Sequence, residues 1–179
     1  MLDLTQNYFE LFGLPVGFDV DPDGLTERYR ELQRVVHPDR YASGTEQERR
    51  LSMQGATLLN EALETLKDPL QRAHYLLRLK GAEPDPGGAP AMDPEFLMEQ
   101  MELREELAEL RHRPEPLTVA GELIVRVGRR VDELVARLGA RFAAGDLPAA
   151  AELVRELQFL RKLQVEAENL EAELEDQLL

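Results

Sequence analysis

A chain of 179 residues is long enough for one ordinary domain or two small ones, and 43% hydrophobic with 31% charged residues suits a soluble helical protein with a real core. The absence of cysteine excludes disulfides and thiolate metal sites, and no apolar run approaches the length of a membrane span. The formal charge of −14 is uneven: residues 1–80 carry 10 Lys+Arg against 13 Asp+Glu, residues 81–179 carry 11 against 22, and so acidic a second half argues against nucleic acid or an anionic membrane as partner.

The N-terminus, MLDLTQNYFELFG, has no basic start and no cleavage pattern, so no secretory signal is expected and the cytoplasm is the expected location. Tyr8, Phe9, Leu11 and Phe12 crowd into a short predicted helix that ends at Gly13, and their density points to core packing. Asp21 is a good N-cap and Pro22 fits the first helical position of the next helix. Leu25, Tyr29, Leu32 and Val36 then form one apolar face, with Arg28, Arg30 and Arg34 off it and solvated. Pro38 disfavours a helical conformation at His37, so the helix should end there and display His37 and Asp39 on a loop after a basic helix.

The tripeptide His37-Pro38-Asp39 admits several uses. Asp39 can orient His37 as a general base, but no Cys exists and no Ser lies in a nucleophile-elbow pattern. As a metal ligand His37 lacks a paired-ligand spacing with His74 or His112. The plainest use is a Pro-Asp turn after a helix. With its flanks, however, the segment resembles the J domain, whose signature is His-Pro-Asp between two antiparallel helices with basic residues on the first. That resemblance implies that His37, Pro38 and Asp39, with Arg28, Arg30 and Arg34, contact an HscA- or DnaK-type chaperone ATPase, and that this chain catalyses nothing itself.

Thr45 with Glu48 makes a capping box for the next helix, whose stripe is Leu51, Leu58, Leu59, Ala62 and Leu66. Gly55 and Ala56 are small enough to let it lie close to its antiparallel neighbour. Asp68-Pro69 starts a further helix that Gly81 ends. AEPDPGGAPA, residues 82–91, has no periodicity and reads as a linker. Beyond it, Asp93-Pro94 starts a helix that stops before Pro114; a second runs from about Leu117 to Ala144; a third follows Gly145-Asp146 to the end. The expected architecture is all-α: a J-domain-like hairpin over 1–80, a linker over 81–92, and an antiparallel three-helix bundle over 93–179. Leu178-Leu179 and the long last helix leave self-association open.

The first bundle helix has more apolar groups than one face needs. With Phe96 at zero, Leu103, Leu107 and Leu110 fall within about 40° of it, a core face; Leu97, Met98 and Met101 fall at about 100–200°, flanked by Glu102, Glu105 and Glu109. On the last helix the core line is Leu153, Leu157, Leu160 and Leu170, and Phe159 stands about 120° away. Such residues either pack on the first domain or a neighbouring helix, or form a carboxylate-rimmed apolar docking patch.

NYFELFGLP, LQRVVHPDRYASG, LKDPLQRAHYLLRLKG, FLMEQMELREEL and RELQFLRKL are together similar to HscB, the J-type co-chaperone family of iron–sulfur cluster assembly. The resemblance implies that the bundle binds an IscU-type scaffold protein through Leu97, Met98, Met101, Glu102, Glu105, Glu109 and Phe159. Met101 stands where Leu is also found in the family. Some eukaryotic relatives carry a cysteine zinc module; with no cysteine here, neither metal nor other cofactor is implied. Two other functions remain open: a general co-chaperone for unfolded clients, and a structural helical protein whose tripeptide is incidental.

Overall fold

Short polar side chains set where every α-helix begins but the one that starts at Pro116. The computed structural model describes residues 3–82 and 93–177. Asn7 and Glu10 close a reciprocal capping box on α1 (Tyr8–Phe12), which Gly13 ends at φ +68°. Asp21 accepts from the N–H groups of Asp23 and Gly24, each at 3.1 Å, to start α2 (Pro22–Val36). A 3-10 turn over Pro38–Tyr41 follows, where the sequence suggested an open loop. Thr45 and Glu48 form the expected capping box on α3 (Glu46–Lys67), and Asp68 caps α4 (Pro69–Leu79). Asp93 caps α5 (Pro94–Glu109), which tightens into a 3-10 turn over Leu110–His112; α6 (Pro116–Ala144) and α7 (Leu147–Asp176) complete the chain. Among the described residues the fold is all-α, with two compact units, Met1–Gly81 and Ala82–Leu179. Nearly all of the expected linker (residues 83–92) and the Leu178-Leu179 pair lie outside the described residues.

In the first unit α2 and α3 run antiparallel. Tyr29, halfway along α2, donates its hydroxyl proton to Asn60 (2.7 Å), and Val36, at the end of α2, lies against Gly55. A Cβ at Gly55 would stand 3.3 Å from Val36 Cγ1, so glycine sets how closely the helices approach there. Leu25, Leu59, Leu66 and Leu76 fill the core, and Tyr8 stacks on Tyr75 with ring centroids 4.4 Å apart.

Arg72, buried on α4, ties three segments together. It donates to the carbonyl of Leu66 at 2.5 Å, and its guanidinium sits 4.8 Å from the centre of the Phe18 ring. Arg72→Met keeps the bulk but strands the carbonyl, for an expected loss of about 2–3 kcal/mol. All four tyrosines, and no tryptophan, lie in this unit, so tyrosine fluorescence should report a melting temperature lower by about 10–20 °C. An unchanged midpoint would rule out the tie.

In the second unit α6 and α7 form a long hairpin whose apolar faces meet at Leu123, Leu134 and Leu138 on one side and Leu153, Leu157 and Leu160 on the other. Against it α5 buries Phe96 and Leu103, and the turn after it buries Leu110, one residue every seven. That seam is a single residue wide. Leu107, expected on the core face, is therefore only half-buried on its flank, and Leu170 is half-buried in the row that carries Glu166 and Glu173.

Candidate functional site

The first surface is the His37–Asp39 turn. Because Pro38 has no N–H, α2 cannot continue, and the backbone tightens so that the N–H of Arg40 donates to the carbonyl of His37 at 3.0 Å. The N–H of Asp39 donates to His37 Nδ1 at 3.3 Å, while the Asp39 carboxylate stands 3.6 Å from the same nitrogen. The Asp39 side chain is 91% exposed and that of His37 50%. His37 thus meets the backbone of Asp39 rather than being gripped by its carboxylate, which is not how an oriented general base is held. No group of residues able to hold a metal ion occurs among the described residues.

The arginines do not all share this site. Arg30 and Arg34 lie four residues apart on one exposed face of α2 and are without an ion pair among the described residues. Arg28 is about 13 Å down the helix from His37, turned about 120° from Arg34, and partly neutralised by Glu31 at 2.7 Å. Arg40 is the group that sequence reasoning missed. Its guanidinium donates to the carbonyl of Arg34 at 3.1 Å, which brings a further cation to the turn.

The second surface lies on α5 and α7. Two rows of ion pairs flank the Phe96/Leu103/Leu110 seam. On the α6 side Glu99 pairs with Arg130 at 3.2 Å and Glu106 with Arg126; on the α7 side Arg104 pairs with Glu166 at 3.2 Å and Arg111 with Glu173. Both α7-side pairs join residues 62 apart, and one heptad separates them. One heptad further back, the same offset joins positions 97 and 159, which hold Leu97 and Phe159, and the Phe159 ring meets Phe96 and Arg104. Apolar residues therefore stand at the positions whose two successors are Arg–Glu.

From there the apolar surface continues outward. Leu97 is 44% exposed, Met98 64% and Met101 73%, and no helix of the bundle covers them. Glu102 and Glu105 line the exposed flank, and Glu109 does so while paired with Arg113 at 2.9 Å. Phe159 is half-buried, its ring perpendicular to that of Phe96 at 5.8 Å and 5.5 Å from the Arg104 guanidinium. All seven residues singled out in the sequence thus lie on α5 or at its seam with α7. Phe96, read from the sequence as core, and Arg104, which was missed, hold Phe159 in place; the seven-residue spacing of Arg104 and Arg111, matched by Glu166 and Glu173, was a readable signal.

One acid of α7 is shifted by its surroundings. Glu156 on α7 is half-buried; burial raises its carboxyl above the usual range, opposed by Arg137 and Arg130 and reinforced by Glu99 and Asp93. A raised folded value means that the folded chain holds the proton more tightly, so Glu156 takes stability away as pH climbs through the interval from the ordinary glutamate value to the raised one. Glu156→Gln is expected to raise the far-UV melting midpoint of the bundle above that interval and to change little at pH 4; the reverse pattern would show that the arginines dominate.

Comparison with known proteins places these surfaces in context. Residues 92–177 match the family model described as the HSCB C-terminal oligomerisation domain. The chain is 43% identical over 174 residues to a co-chaperone protein HscB homolog of Shewanella amazonensis, across 96% of this chain and all of that one. It superposes on the structure of chaperone HscB from Vibrio cholerae with a TM-score of 0.82 at 41% identity, covering 97% of this chain and all of that one. Against human co-chaperone protein HscB the TM-score is 0.84 at 32% identity, covering 93% and 82%.

Proposed function

The chain belongs to the HscB family of co-chaperones, and from that premise we propose that it is a two-headed adaptor between an IscU-type iron–sulfur scaffold and an HscA- or DnaK-type ATPase. The bundle holds the scaffold through Leu97, Met98, Met101 and Phe159, with Glu102, Glu105 and Glu109 meeting a basic rim on the partner. The first unit docks His37-Pro38-Asp39, with Arg30, Arg34 and Arg28, on an acidic surface of the ATPase and accelerates hydrolysis there. Asp39 engages a cation on that partner, and Pro38 fixes the turn that carries it. The chain itself performs no covalent chemistry and works in the cytoplasm.

One observation carries this reading: the apolar groups on the outer face of α5 have no work to do inside the bundle, yet stand beside an aromatic held by its neighbours. A general co-chaperone for unfolded clients would need a broad apolar surface, and this patch is narrow and rimmed with acid. Tethering two partners raises the effective concentration of one at the other. The test is steady-state ATP hydrolysis by a purified DnaK-type chaperone with this protein, with scaffold, and with both. Stimulation beyond the sum of the two supports the adaptor; stimulation indifferent to scaffold favours the general co-chaperone; none at all leaves a structural protein.

A further inference from the structure

The end of α2 carries an accounting problem that three side chains solve. In a continuing helix the carbonyls of Arg34, Val35 and Val36 would accept from the N–H groups of residues 38, 39 and 40. Residue 38 is proline and has none; the N–H of Asp39 goes to His37 Nδ1, and that of Arg40 to the carbonyl of His37. Each orphan finds a side chain instead. Arg40 donates to Arg34 O at 3.1 Å, the Tyr41 hydroxyl to Val35 O at 3.3 Å, and the Ser52 hydroxyl to Val36 O at 2.6 Å. Arg40 and Tyr41 belong to the turn itself, so its shape and its capping are one event. Ser52 comes from α3, is buried, and lies one turn before Gly55, which packs on the Val36 side chain. Backbone and side chain of the residue before His37 are thus both gripped by α3.

We propose that Ser52, with Tyr41 in support, is a positioning residue for ATPase docking: it holds the His37–Asp39 turn in the one shape that the partner reads. This rests on the reading of that turn as the ATPase contact. Without Ser52 the Val36 carbonyl is left to solvent or to a rearranged turn, and the docking shape becomes one of several. Apparent affinity falls by the fraction of time the turn is correct, while the bound state, once formed, is unaltered.

The experiment titrates the full chain into a steady-state ATPase assay with a DnaK-type chaperone. Ser52→Ala is expected to raise the half-saturating concentration about tenfold with the plateau unchanged. Ser52→Thr, which keeps a hydroxyl, should restore it, and Tyr41→Phe should give a smaller shift of the same kind. Amide hydrogen exchange should quicken at Asp39 and Arg40 while the middle of α3 keeps its protection. Ala62→Gly weakens the same helix far from the turn; if it shifts half-saturation as much as Ser52→Ala, the effect is stability alone and the proposal falls. It also falls if Ser52→Ala behaves as wild type while Asp39→Ala abolishes stimulation. Full stimulation by Asp39→Ala would instead remove the reading on which the proposal stands.

Discussion

Asp39→Ala is expected to abolish stimulation of a DnaK-type ATPase and to leave the affinity for an IscU-type scaffold unchanged. The fold has little stake in this side chain. Its carboxylate is 91% exposed, and its nearest ionic neighbour, His37, is 3.6 Å away. The backbone N–H that shapes the turn survives the substitution. Stability should therefore move by no more than about 0.5 kcal/mol, the usual range for a surface site. The loss falls on the complex, where truncating one partner of a close charge pair takes about 2–5 kcal/mol, or some 30-fold to several thousand-fold. ATP turnover against concentration measures one half of the prediction and calorimetric titration with scaffold the other. Equal loss of both would sink the two-headed reading.

The mirror-image result is expected from Leu97→Ala, Met98→Ala and Met101→Ala combined. These side chains are exposed, so their removal spares the core. At about 1 kcal/mol each for apolar contact at an interface, scaffold affinity should fall roughly a hundredfold, while ATPase stimulation in the absence of scaffold stays as it was. The exposed variants are a cleaner test than Phe159→Ala, which would also release the Phe96 and Arg104 contacts. Wild-type calorimetric titrations by the triple variant would send the search for the scaffold site elsewhere.

Much of this architecture is legible because it is local. The caps at Asp21, Thr45, Asp68 and Asp93 each act within three residues of themselves, and the outward stripe of α5 follows from helical period alone. Apart from Arg40, what escaped reading is long-range. Nothing near Ser52 announces a carbonyl 16 residues earlier, and nothing near Phe18 announces Arg72. Leu107 looked like core because a helical wheel assumes a broad buried face; the actual seam is one residue wide and bordered by ion pairs, which leaves its flanks half open. Arg28, Arg30 and Arg34 looked equivalent in composition, but the period of the helix separates the first from the other two.

The constant offset between α5 and α7 makes the bundle a chassis with interchangeable struts. Arg111–Glu173 and Arg104–Glu166 brace the two helices; the positions one heptad earlier hold Leu97 and Phe159, which are proposed to meet the scaffold instead. On the proposed reading, exchanging those two residues for arginine and glutamate would replace a scaffold contact with a third brace, weakening scaffold binding while adding support. Moving the two apolar residues one heptad along would slide the docking surface by about 10 Å, seven residues of helical rise. Such a chassis lets partner choice drift or be redesigned without rebuilding the core beneath it.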